Sequence, residues 1–138
     1  MTWSTEDGGP RRLQWVDGAR LAIAAGETLQ VTSRSMMVVT MVVVASPDDV
    51  FVLCHTGGDG AVSWVERVHP ETLETLATSE HLTGGPAWPG GTAVHPNGDI
   101  YVVFGNHAHR LNRSLQVVAT RELPRARPYN SFVVLPDG

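Results

Sequence analysis

Two stretches of this chain repeat one another, and that repetition constrains the fold more than any other feature. The segment "RVHPETLETLATSEHL", from Arg67, aligns with "RLNRSLQVVATRELP", from Arg110. Each has Arg and an aliphatic residue, a polar turn, and then Leu-x-x-aliphatic-Ala-Thr, with one residue more in the first turn. A fainter third copy, "RLAIAAGETLQV", begins at Arg20. The anchoring leucines Leu29, Leu73 and Leu115 are 44 and 42 residues apart. Between them, "VVVASPDDVFVL" matches "TAVHPNGDIYVV", each an apolar run, a Pro-containing turn and a second apolar run. Four short strands in a unit of about 40 to 45 residues is the period of a propeller blade.

The local signals agree. "DVFVLCHT", "DIYVVFGN" and "SFVVL" are short, rich in β-branched and aromatic residues, and bounded by Gly, Pro, Asn and Asp, the pattern of strands. One window, "HPETLETLATSEHL", has Pro placed for a first helical turn, but its repeat partner reads as two strands, so it is expected to do the same. Strands are expected over residues 61–66 and 115–120. The fold class is therefore all-β: a β-propeller segment of about three four-stranded antiparallel blades. The alternative is a small β-sandwich or an open barrel. An N-terminal extension covers residues 1–19, a half blade 20–40, blades 41–84 and 85–127, and the first strand of a further blade 128–138. The ending "PYNSFVVLPDG" places a turn signal after that strand, so the reading is of a partial chain. Its open edge, beside the uncharged run of residues 36–45, is a place for self-association.

Composition excludes several classes. The chain has 138 residues, is 42% hydrophobic and 17% charged, and carries a net charge of −4, which suits a soluble globular protein rather than a disordered one. All ten basic residues are Arg. Five of them (Arg110, Arg113, Arg121, Arg125, Arg127) fall in the last third, but the acidic whole argues against a nucleic-acid partner. The apolar run 36–45 is about half the roughly 20 residues a membrane helix needs. No apolar leader is visible near the N-terminus, so a cytoplasmic location is expected unless a leader is missing. Cys54 is alone, inside "DVFVLC", and reads as a small core residue.

Beyond the fold, "YNSFVVLPDG" and "GGTAVHPNGDIYVVF" resemble the signature of six-bladed propellers of the senescence-marker/gluconolactonase-like superfamily and its Asn-His-Leu and Tyr-Val-Thr-Asn repeat relatives. The resemblance covers about residues 20–138. In its lactonase members an Asn six residues before the Pro of the inner-strand turn is a ligand of an axial divalent ion. That position is Asn130 here, with Gly90 and Met41 in the other copies. "GGPAW" resembles the "E-G-P-x-W" that carries a Glu ligand, with a glycine in place of the Glu. What the resemblance implies is a metal-dependent lactonase or esterase using Ca, Mg or Mn at Asn130. The ion would polarise a carbonyl and activate water. The plainer reading of Asn130 is a turn residue.

The residues themselves show no Ser-His-Asp set, phosphate loop or zinc spacing. His107 and His109 share one face if their segment is extended, as a two-ligand site would need, but no third ligand is near in sequence. Strand alternation does predict where a site lies. His55, Asp59, Trp88, Asn106, His107, Tyr129 and Asn130 should gather at one end of the array, a surface for a small molecule or peptide. The leading functional reading is thus a binding or scaffold module, with the lactonase-type hydrolase as the alternative.

Overall fold

The structure is a computed structural model that describes Gly18, residues 22–85 and residues 90–135. Eight strands form in chain order. They are β1 (Val38–Ser46), β2 (Asp49–His55), β3 (Ser63–Val68), β4 (Thr75–Thr78), β5 (Gly91–Val94), β6 (Ile100–Phe104), β7 (His107–Leu111) and β8 (Val117–Glu122). They make two four-stranded antiparallel sheets, β1-β2-β3-β4 and β5-β6-β7-β8, and no closed barrel. No helix occurs among the described residues, so none is long and apolar enough to cross a membrane. The first sheet spans residues 38–78, starting three residues before the expected unit 41–84, and the second spans residues 91–122. Among the described residues two four-stranded sheets are complete.

Each turn is made by the residues that its geometry requires. The β6–β7 hairpin has two central residues, Gly105 and Asn106, and Gly105 takes a φ of 55° at the first of them, a place where a side chain is disfavoured. The β5–β6 turn closes through the Gly98 N–H to the His95 carbonyl at 2.8 Å, and Pro96 presets its backbone. In the β3–β4 turn the His69 N–H reaches the Glu74 carbonyl, and in the β7–β8 turn the Asn112 N–H reaches that of Gln116. Pro70 therefore opens a turn, and the Thr75–Thr78 stretch that resembled a helix is a strand.

The repetition extends below the level of elements. Both third strands carry a register shift at the same place, Arg67/Val68 and Arg110/Leu111. Both following turns hold a leucine in the left-handed region, Leu73 at φ 60° and Leu115 at φ 61°. Both sheets pair an aspartate at the entry to their second strand with the arginine of their third: Asp49, the first residue of β2, with Arg67, and Asp99, just before β6, with Arg110.

The core lies between the sheets. Val43, Phe51, Leu53 and Val65 of the first sheet meet Ile100, Val102, Phe104, Leu111 and Leu115 of the second. These are alternate residues along their strands, as burial of one face demands. Fully burying each such side chain contributes about 1.5–3 kcal/mol. The first strands adjoin, with the Thr92 N–H 3.3 Å from Met41 Sδ. Across the sheets, Arg113 in the β7–β8 turn donates to Asp49 Oδ2 at 2.7 Å, while Arg67 holds Oδ1 at 2.6 Å.

Some expected strands do not form. Residues 22–37 and 131–135 have no strand pairing, and β3 and β8 each start two residues later than expected. A strand needs a ladder of backbone hydrogen bonds; residues 130–131 touch Gly91 and the Arg34 side chain reaches Glu66 and Thr75, but neither segment forms such a ladder among the described residues. The late start of β3 follows from the 56–62 loop, where the Thr56 N–H bonds to the Val62 carbonyl. That of β8 follows from the left-handed Leu115, which cannot lie in a strand. The faint third copy is likewise not realised as strands, and its Leu29 is exposed.

Candidate functional site

The end of the sheets carrying the β2–β3 loop and the β6–β7 turn is assembled backbone against backbone. A Cβ at Gly105 would stand 1.2 Å from the Gly84 carbonyl oxygen, and one at Gly84 would stand 2.4 Å from that of Phe104. A Cβ at Gly85 would lie 2.8 Å from the Asp59 carbonyl oxygen. Three glycines therefore let three chain segments touch where side chains would separate them. Hydrogen bonds close the arrangement. The Asn106 N–H donates to the Gly84 carbonyl at 2.9 Å, the Leu123 N–H to that of Asn106 at 2.7 Å, and the Tyr129 N–H to that of Gly105 at 2.8 Å.

The expected site residues fall around this knot. His55 ends β2, is buried, and sets its ring 5.3 Å from that of Phe104. His107 stands opposite Phe104 across the β6–β7 pair, with Nδ1 2.9 Å from Asn106 Oδ1. The Asn106 amide nitrogen donates to Glu122 Oε1 at 3.2 Å, which fixes the Asn106 side chain between β7 and β8. Asp59 is exposed on the loop that meets Gly85, and Tyr129 is half-buried. Asn130 places its carbonyl oxygen 3.2 Å from where a Gly91 Cβ would be. Gly91 pairs with Val103, so Asn130 lies at the same end as His107. Trp88 lies outside the described residues.

The imidazole pair differs from the sequence expectation in one respect. His107 and His109 do share a face and stack with ring centroids 6.1 Å apart. His109, however, spends both nitrogens, Nδ1 on Thr120 Oγ1 and Nε2 on the Thr83 carbonyl, each at 3.0 Å. A carbonyl only accepts, so Nε2 carries the proton and Nδ1 accepts from the hydroxyl. Burial, with His107 beside it, holds the His109 pKa below the ordinary 6.5, against the opposing pull of the Thr83 carbonyl and Glu80. His109 is a neutral structural group that ties residue 83 to the second sheet.

A divalent ion does not fit the donors at hand. The positions matching Asn130 are Met41, whose thioether sulfur faces the Thr92 N–H, and Gly90, which has no side chain. Hard cations need several oxygen ligands. Among the described residues no three His, Cys, Asp or Glu side chains converge on a point.

Glu122 and Phe104 were not singled out in the sequence. Glu122 is opposite His107 in the β7–β8 register, so counting along the hairpin would have found it. Phe104 read only as a strand residue. Cys54 is buried, and burial together with the Glu66 carboxylate pushes its thiol up to about 11 despite Arg34 nearby, so it stays protonated. Comparison with protein-family models, with curated proteins and with solved structures finds no match.

Proposed function

We propose that the chain is an array of propeller-type blades that serves as a binding module, taking a small molecule or peptide at the end built around Gly84, Gly105 and Asn106. The observation that carries this reading is the duplicated sheet pair. β1 and β5 adjoin, the second sheet packs its β6 face on the first, and residues 130–131 lie against Gly91 where the first strand of a following sheet would begin. Such arrays gather loops of successive sheets at each end, and this end offers the His107 imidazole, the Asn106 amide, the Asp59 carboxylate and the half-buried Tyr129 ring from three separate segments. Polar groups fixed by neighbours, as Asn106 is by Glu122, supply direction without reorganisation.

The lactonase alternative needs an ion that these donors do not cradle, so no hydrolytic step is derived. Amide NMR of the chain, titrated first with a pool of short peptides and then with a library of small polar molecules, tests the reading. Shifts confined to Gly84, Gly105, Asn106, His107 and Tyr129, and weakened by His107→Ala, are expected. Shifts at the Pro47 and Pro96 turns instead would overturn it. A rise in Tm with millimolar Ca, Mg or Mn, accompanied by shifts at Asn130, would transfer the assignment to the hydrolase.

A further inference from the structure

The outer edge of the second sheet is a feature that the loop end does not explain. β4 and β8 close the two sheets and come from matched stretches of the repeat, with Ala77-Thr78-Ser79 in the places of Ala119-Thr120-Arg121. Beyond the shared Ala-Thr the two edges diverge. Ser79 is buried, its hydroxyl accepts from the Val65 N–H at 3.0 Å, and β4 ends at Thr78. In the second sheet Arg121 is exposed and β8 runs on to Glu122, with every residue from Val118 to Glu122 exposed. The Leu123 N–H bonds to the Asn106 carbonyl, and Arg121 stands opposite Ala108. By the alternation of an antiparallel ladder, Arg121 therefore turns its backbone groups toward β7, and Thr120 and Glu122 turn theirs outward. Those outward N–H and C=O groups have no partner among the described residues, which makes this edge a template for one more strand.

Charge selects the strand. Arg121, Arg125 and Arg127 are exposed, and none of the three guanidinium groups has a partner among the described residues. Glu122 is the one acid between residues 118 and 127. Its carboxylate accepts from the Asn106 amide and lies on the other sheet face from Arg121, since successive side chains alternate. The first sheet shows the contrary arrangement, where the Arg34 guanidinium beside β4 is consumed by Glu66, the Leu73 carbonyl and Thr75 Oγ1. An edge of unpaired arginines repels a second edge like itself, so the occupant that suits it carries carboxylates. The outward carbonyls of Thr120 and Glu122 disfavour a phosphate chain, whose backbone offers them no donor at a strand's spacing. An extended peptide supplies both N–H and C=O groups at that spacing.

We propose that the outer edge of β8 takes an extended acidic peptide by strand addition, its backbone pairing with Thr120 and Glu122 and its carboxylates meeting Arg121, Arg125 and Arg127. Two dye-labelled peptides of equal charge test it on the full chain: a ten-residue alternation of Thr and Glu, and the same peptide N-methylated along its backbone. Fluorescence anisotropy at about 50 mM salt should show saturable binding of the first, falling as salt rises. N-methylation should weaken it at least tenfold, and so, separately, should Arg121→Glu. Arg121 is exposed, so circular dichroism of that variant should report intact sheets. Hydrogen exchange of the unaltered protein gives a check that needs no variant: the amides of Thr120 and Glu122, open in the free chain, should gain protection when the peptide is added. Equal binding of the two peptides would reduce the edge to a charge effect, and tighter binding of a uridine oligonucleotide would make it a nucleic-acid surface. Protection at Gly84, Gly105 and Tyr129 instead would move the peptide to the loop end, and protection at Thr120 that rises with protein concentration alone would make the occupant a second copy. Each of these results, or no binding at all, would overturn the proposal.

Discussion

Leu73 and Leu115 occupy a conformation that costs an ordinary residue about 1–2 kcal/mol, yet they differ in what they receive for it. Leu115 is buried between the sheets, whereas Leu73 is only half-buried on the outer face. Replacement by glycine relieves the backbone at both. Leu73→Gly should therefore be close to neutral or stabilising by up to about 1 kcal/mol. Leu115→Gly should lose about 1–3 kcal/mol net, because the cavity left in a close-packed core outweighs the relief. Urea unfolding of the two variants at micromolar concentration separates these outcomes. Equal effects would mean that the Leu115 side chain adds nothing to the core.

Among the elements, the β7–β8 hairpin carries a buried histidine, His109, whose titration is tied to the fold. The His109 pKa lies below 6.5 when folded, so in the range between the two values the unfolded chain binds a proton that the folded chain refuses. Stability from this group is complete above the unfolded pKa and falls as pH drops toward the folded one. His109→Gln, which can keep a donor for Thr83 and an acceptor for Thr120, should flatten the fall in Tm as the pH drops below the ordinary 6.5. An unchanged slope would place the titration elsewhere. Legibility in the sequence divides along the same element. The repeat fixed the strands of both sheets, because Leu-x-x-aliphatic-Ala-Thr carries its own turn and register. Alternation along an extended segment put His107 and His109 on one face. That His109 has both nitrogens bonded was hidden, because Thr83 comes from a distant segment. So was the meeting of Gly84 with Gly105, since close backbone approach leaves no periodic trace. Residues 22–37 and 131–135 misled for the opposite reason. Their composition is that of strands, but composition supplies no neighbour to pair with.

At the scale of the whole molecule, the sheets are joined by an apolar interface and by Asp49. This carboxylate is buried and receives Arg67 from its own sheet and Arg113 from the other. The Nε of Arg67 is already buried without a partner, so removing the acid would leave a poorly compensated cation. Asp49→Ala should cost about 2–3 kcal/mol. Asp99→Ala, which removes the pair with Arg110 and a hydrogen bond from Asn97 but no contact between the sheets, should cost distinctly less. Denaturant midpoints of the two variants measure the difference, and a larger loss at Asp99 would show that the inter-sheet contact is dispensable.

The glycine knot at the loop end has a consequence for how such a protein can change. Where Gly105 crosses Gly84, the contact is made by main chain, and the side chains of Asp59, Asn106 and His107 stand around that crossing. Framework and specificity are thereby separated. A library that randomises those three positions samples new ligand preferences on an unaltered base, whereas one methyl group at either glycine spoils every member of the library at once.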